Sequence, residues 1–322
     1  MIVEAVGIEL IKVTFPPTSA ERGHNEPSVV VVNAGALGNF VAEGLGPTFW
    51  CMRGIAVRNE SGPSVGLASA LRAGSKSADV YLSADAQVNA MLMGAANGNL
   101  ARWYVVFARN SVVLVYSPKS RFLADFEQAA AGDIPWYEVL QRPGVRLVRG
   151  NPNLDPLAYY TLFVAELAEL SYGIPGLKHR ILGDDLNPAQ LSGFSFAGLE
   201  NGDVDAIFLY RNIALDRGFP FVKLPDSVNL SAVSQAESYA RVSFTTDQGQ
   251  TFRGGPIRFS ATILANAANP VQAAELITFL VSPGGQELVK DYHFLPGDIV
   301  LAGDAASAPA QILPFVIRFD QS

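Results

Sequence analysis

Val29-Val30-Val31-Val32-Asn33, running on through Ala34-Gly35-Ala36-Leu37-Gly38, is the stretch from which the fold can be read. Four consecutive valines are apolar on both faces and stiff at χ1, so they suit a strand covered on both sides, as parallel sheets require. The glycines that follow let the backbone turn and approach a ligand closely. Residues 55–58 form a second such run, followed by a turn at 61–64 and a helix near 65–73. Residues 79–83 form a third, with a helix expected from about 85 to 96. This β-α-β-α-β order predicts an open, twisted α/β sheet of parallel strands that binds ligands at their carboxyl ends.

Working outward, strands are expected at 104–107 and 111–116, on either side of the turn Ala108-Arg109-Asn110. A second α/β unit then begins, with a helix near 123–131, a strand at 146–149 and a long helix over 156–172. A helix near 188–200 stops at Asn201-Gly202 and leads into a strand at 204–209. The remainder is richer in strand, near 240–244 and 257–264. Asn269-Pro270 and Ser282-Pro283 then each open a helix, pairing a capping side chain with proline at the first helical position.

A length of 322 residues suits two units, each with its own core. The lobes expected are 28–110 with 256–322, and 111–255, with crossovers near Arg109-Asn110 and Gly254-Gly255. Net charge is −7 with no Lys/Arg cluster, which argues against a nucleic-acid partner. A small anion is still compatible, because backbone N–H groups can hold one without net positive charge. No run of about 18 apolar residues is present to span a membrane. Cys51 is the single cysteine, so neither an intrachain disulfide nor a cysteine zinc site can form; His24, His179 and His293 lack metal-ligand spacing. Residues 1–27 read as a leader with one short apolar stretch, lacking the flanks of a secretory signal; an exported chain is expected to carry its signal outside this sequence.

Four turns place a helix start or small residues directly after a strand, where N–H groups and helix dipoles favour an anion. They are 33–38, 61–66, Ser83-Ala84-Asp85 and Asn151-Pro152-Asn153-Leu154-Asp155-Pro156. Gly62, Ser64 and Gly66 also satisfy the G-x-S-x-G pattern of a nucleophile elbow. A serine hydrolase needs a histidine base beside its nucleophile, and neither His179 nor His293 sits in a loop with a recognisable orienting acid. The same turn serves equally to offer the Ser64 hydroxyl and N–H to an anion. Asp85 and Asp155 both read locally as helix caps.

The chain from about 29 to 297 resembles the periplasmic molybdate/tungstate-binding proteins, especially the archaeal-type tungstate/molybdate binders. The resemblance is densest in Trp103-Tyr104-Val105-Val106-Phe107-Ala108-Arg109-Asn110, Val113-Leu114-Val115-Tyr116 and Lys119-Ser120, and runs on through Trp136-Tyr137-Glu138-Val139-Leu140 to 151–156. It continues in Leu199-Glu200-Asn201-Gly202-Asp203-Val204-Asp205, Tyr210-Arg211 and Leu224-Pro225-Asp226, and ends in Phe279-Leu280-Val281-Ser282-Pro283-Gly284-Gly285-Gln286. It implies a type II periplasmic binding protein fold, two α/β lobes closing on an oxyanion, with no cofactor and no catalysis. It also implies a monomer, located in the periplasm or outside the cell in association with the membrane, that works with the permease and ATPase subunits of an ABC importer. Carried over by position, Ala36 and Ser64 fall at the family's two serine turns and Ser83 at its strand-end serine. Asp155 falls at a carboxylate that coordinates the oxyanion's central metal, Leu157 at a backbone donor, Ser192 at a helix-start donor and Tyr210 at the tyrosine closing the strand.

The chain departs from that pattern at three places. Ala36 lacks the expected hydroxyl, Leu209 stands where a second coordinating carboxylate is expected, and Leu157-Ala158-Tyr159-Tyr160 replaces Cys-Gly-Tyr-Arg. Two outcomes follow. Either a tetrahedral oxyanion is held by N–H and hydroxyl groups with Asp155 as a cap or protonated donor, or the cleft takes another small solute against the apolar wall of Leu209.

Overall fold

The computed structural model describes residues 27–192 and 195–318; the leader expected over 1–27 therefore lies, except for Pro27, outside the described residues. Seven strands form one sheet: β1 (Ser28–Ala34), β2 (Ala56–Gly62), β3 (Val80–Ser83), β4 (Trp103–Arg109), and later β11 (Arg258–Ile263), β12 (Val300–Gly303) and β13 (Ile317–Arg318). Their order is β13-β12-β4-β11-β3-β1-β2. β1 runs parallel to both β2 and β3, pairing Val31 with Asn59 and with Val80. The valine run is central, and Val29, Val31 and Val32 are buried. β2 is the edge and carries exposed Arg58-Asn59-Glu60, polar residues that discourage pairing with another chain.

Four strands form the second sheet: β5 (Val112–Tyr116), β6 (Leu147–Val148), β7 (Ala206–Tyr210) and β8 (Phe221–Val222), in the order β6-β7-β5-β8. A ribbon of β9 (Ser243–Thr245) and β10 (Thr251–Arg253) follows. The chain leaves the first sheet between Arg109 and Val112 and re-enters it between Arg253 and Arg258. The Pro156–Tyr172 helix is apolar on nearly all sides, and its residues from Pro156 through Ala165 are buried, so it is an interior helix. Asp155 caps its start and Gly173, at φ 64°, ends it in the left-handed conformation.

Four local expectations are corrected. The first sheet is mixed, because β11 runs antiparallel to β3 and β4, and β12 antiparallel to β4. The helix expected at 85–96 is two short 3₁₀ turns, Ala86–Met91 and Ala95–Asn97, separated at Gly94 with φ 82°. The helix expected at 188–200 is two pieces, Pro188–Leu191 and Phe196–Asn201, the second started by Ser195 accepting the Gly198 N–H at 2.9 Å. At 240–244 only the end is strand, since the Ala236–Tyr239 helix runs up to Ala240.

Candidate ligand-binding site

β1, β2 and β3 are parallel, so their carboxyl ends lie together, with Ala34 opposite Gly62 in register. A cavity of about 380 Å³ opens there. Its first wall is backbone and small residues: Ala34-Gly35-Ala36, Gly62-Pro63 and Ala84. A Cβ placed on Gly35 would meet nothing within 4 Å, so the main chain at that turn faces open space. The opposite wall comes from the second unit. It consists of the loop after β6 with Gly150, Asn151, Leu154 and Asp155, the end of β7 with Leu209 and Tyr210, and Leu157, Phe196 and Ile213. A larger groove of about 1070 Å³ lies near Trp103 and Leu264, at the amino ends of β3 and β4. It is far from the edge where α/β sheets bind ligands.

Ala36 lines the cavity, and its carbonyl accepts a hydrogen bond from Asn212 Nδ2 of the second unit at 3.1 Å. Ser64 and Ser83 sit behind the wall, both fully buried. Ser64 Oγ accepts the Ala84 N–H at 3.2 Å, and the Ser64 carbonyl accepts the Tyr81 hydroxyl at 2.8 Å. Ser83 Oγ donates to the Asp85 carbonyl at 2.8 Å and accepts its N–H at 3.2 Å. Both hydroxyls therefore brace the turns that carry the backbone wall.

Asp155 faces the cavity, and its Oδ1 accepts the Leu157 N–H at 3.1 Å. Leu157 lines the cavity, but its N–H, expected as a ligand donor, is engaged by this cap. Burial pushes the Asp155 carboxyl up to about 6, against the opposing pull of the Leu157 N–H. Among the described residues no cluster of three His, Cys, Asp or Glu could hold a metal ion. Tyr210 lines the cavity, and its buried hydroxyl has no hydrogen-bond partner among the described residues. Ser192 is exposed and closes the Pro188–Leu191 helix, with its hydroxyl directed back to Ala189, and it is not among the residues that line the cavity.

Three features that hold the walls together were not anticipated. The Leu154 carbonyl accepts the Val65 and Gly66 N–H groups, at 3.0 and 3.2 Å, capping the start of the Ser64–Arg72 helix from the other unit. Asp85 does cap, accepting the Gln87 N–H at 2.8 Å, but it also accepts the Tyr159 hydroxyl across the cleft at 2.7 Å. Burial raises the Asp85 carboxyl, and the hydrogen bonds from Tyr159 and Gln87 oppose that rise. Tyr159 in turn stacks on Phe252, ring centroids 4.6 Å apart. The one available signal was spacing: Tyr159 follows Asp155 by four residues and so shares its helix face.

The model of the bacterial extracellular solute-binding proteins matches residues 29–295. The chain belongs to that family. It is 34% identical over 244 residues to a Haloferax volcanii protein named as an ABC transporter molybdenum-binding protein, covering 75% of this chain and 74% of the other. It is 30% identical over 240 residues to the molybdate/tungstate-binding protein of Pyrococcus abyssi, 68% of each chain. Among solved structures, the periplasmic molybdate-binding protein of Azotobacter vinelandii superposes with a TM-score of 0.55 at 19% identity, over 84% of this chain and all of that one. The sulfate-binding protein SubI of Mycobacterium tuberculosis does so with 0.55 at 19%, over 91% and 92%.

These likenesses give the periplasmic-binding-protein fold expected from the sequence, now with two mixed sheets. A member of a solute-binding family binds and does not catalyse, so Gly62-x-Ser64-x-Gly66 is a structural turn. Ser64 Oγ accordingly bonds to a backbone N–H, and no histidine hydrogen-bonds to it among the described residues. Among those residues no helix is long and apolar enough to cross a membrane.

Proposed function

We propose that this solute-binding protein takes up a tetrahedral oxyanion, the class that includes molybdate and tungstate, for an ABC importer. On this reading 28–110 with 256–322 and 111–255 are two lobes that close on the ligand by hinge motion. A membrane permease reads the closed form outside the cytoplasm, and a partner ATPase supplies the energy. The observation that carries the reading is the convergence, at one cavity, of the backbone turn at Gly35-Ala36 and the Asp155 carboxyl, with Tyr210 on the same wall. Relatives at about 30% identity are named for binding molybdate or tungstate.

With Leu209 on the wall and one carboxylate only, the ligand is held by hydrogen bonds and not by expansion of the metal's coordination shell. Leu209 also favours a second reading, in which the same cavity takes a different small solute. Calorimetric titration with molybdate, tungstate, sulfate and phosphate separates the two. Saturable heat with at least one of them is expected, and silence with all four at millimolar concentration overturns the reading of an unsubstituted oxyanion while leaving the fold intact.

A further inference from the structure

We infer that the solute is a tetrahedral oxyanion bearing a short hydrocarbon substituent, an alkyl sulfonate or alkyl phosphonate, a reading that rests on the oxyanion site proposed above. Four oxygens around one centre need roughly 120 Å³, taking each as a water's share of about 30 Å³. The cavity holds about 380 Å³, several times that. The two walls also differ in chemistry. The first offers main chain and small side chains at Gly35-Ala36 and Gly62-Pro63. The second presents Leu154, Leu157, Phe196, Leu209 and Ile213. Leu209 is fully buried at the end of β7, held there by its pairing with Val113.

A bare, strongly hydrated anion gains nothing from five large apolar side chains, and displacing its hydration shell against them is costly. A hydrocarbon tail gains from each contact. Charge points the same way. The cavity wall includes the Asp155 carboxyl and no lysine or arginine, so a head group of low charge is better matched than a dianion. The Gly35-Ala36 turn supplies backbone hydrogen bonds for the head, while the apolar wall takes the tail.

The test is calorimetric titration of the full chain with methane-, propane- and pentanesulfonate and with the matching phosphonates, beside sulfate and molybdate. Affinity is expected to rise about fourfold per added methylene until the cavity is filled. Leu209→Ala and Ile213→Ala are each expected to flatten that dependence on chain length. The sulfonate and phosphonate arms then decide which head is preferred. Binding of sulfate or molybdate with affinity flat or falling along the alkyl series overturns the hydrocarbon tail and leaves the oxyanion site standing. Pentan-1-ol binding as tightly as pentanesulfonate, or silence with every anion, overturns the oxyanion site itself.

Discussion

Replacing Tyr159 with Phe removes one hydroxyl from the contact between the two units and little else. The ring stays stacked on Phe252, and the Asp85 cap on the Gln87 N–H is untouched. What is lost is a hydrogen bond of 2.7 Å from a phenol to a buried carboxylate. Hydrogen bonds to charged groups contribute about 1.5–3 kcal/mol, and a buried acceptor left short of a donor costs a comparable amount. Tyr159→Phe is therefore expected to destabilise by about 2 kcal/mol at pH values above the raised Asp85 value, where the carboxyl is ionised. In an Asp85→Asn background the amide oxygen can keep the Gln87 cap while the amide NH2 faces the Tyr159 oxygen and donates to it, an uncharged bond, so the same change should cost only about 1 kcal/mol. Urea unfolding of the four proteins measures the coupling directly. Burial raises the Asp85 carboxyl in the folded state, so the folded protein holds that proton more tightly than the unfolded chain does. The resulting stability is present at low pH and lost as pH rises through the raised value. Asp85→Asn should accordingly gain on the wild type as pH increases. Equal costs for Tyr159→Phe in both backgrounds would refute the claim that this hydroxyl stabilises a buried charge.

Asp155, held up to about 6 against an ordinary value of 3.8, follows the same sign. Asp155→Asn keeps a capping oxygen and should stabilise the ligand-free protein by at most about 3 kcal/mol above pH 6, falling towards zero below pH 4; a gain that is independent of pH contradicts this. Asp205 has the opposite sign. Burial pushes it up, but bonds from Arg146 and Ser120 outweigh this and hold it below the usual carboxylate range. Its contribution should be lost only as pH falls through that lowered value, and Asp205→Asn should cost about 2 kcal/mol at neutral pH in denaturant titrations. Gly254→Ala would place a Cβ 2.2 Å from the Tyr239 carbonyl oxygen where the chain returns to the first sheet. It should lower stability by about 2 kcal/mol or more, and an unchanged melting temperature would show that the backbone there yields freely.

The β-α-β-α-β opening was legible because its periodicity is local: four valines can be read as a buried strand without knowing what covers them. The caps at Asp155-Pro156 and Ser282-Pro283 were legible for the same reason. The antiparallel insertion of β11 between β3 and β4 was not, since nothing in residues 258–263 encodes the direction of a neighbour more than a hundred residues away. The site divides along the same line. Asp155, Tyr210 and Ala36, carried over from the family resemblance, lie on the cavity wall. Whether an N–H is available there depends on what the opposite unit presents, and only the folded chain shows Leu154 capping Val65 and Gly66. Asp85 illustrates the limit most directly. Its capping role is written in residues 85–87, whereas its bond to Tyr159 joins residues 74 apart.

Those cross-cleft contacts bear on how the proposed lobes would respond to a ligand. Opening would exchange the Leu154, Asn212 and Tyr159 bonds for bonds to water. At about 1 kcal/mol net for each neutral bond and somewhat more for the charged one, the protein's own contacts favour closure by a few kcal/mol. A ligand that alone had to move such an equilibrium from 1:99 to 99:1 would need about 5.5 kcal/mol of preference for the closed form. Contacts of this size supply a large part of that preference before any solute enters, so even a weakly held head group can tip the balance. Weakening the Asp85–Tyr159 bond should then lower the apparent affinity for every solute by the same factor, because it taxes closure and leaves the cavity wall as it was. A substitution at Leu209 should instead change affinity unequally across solutes, because it alters the wall that each of them touches.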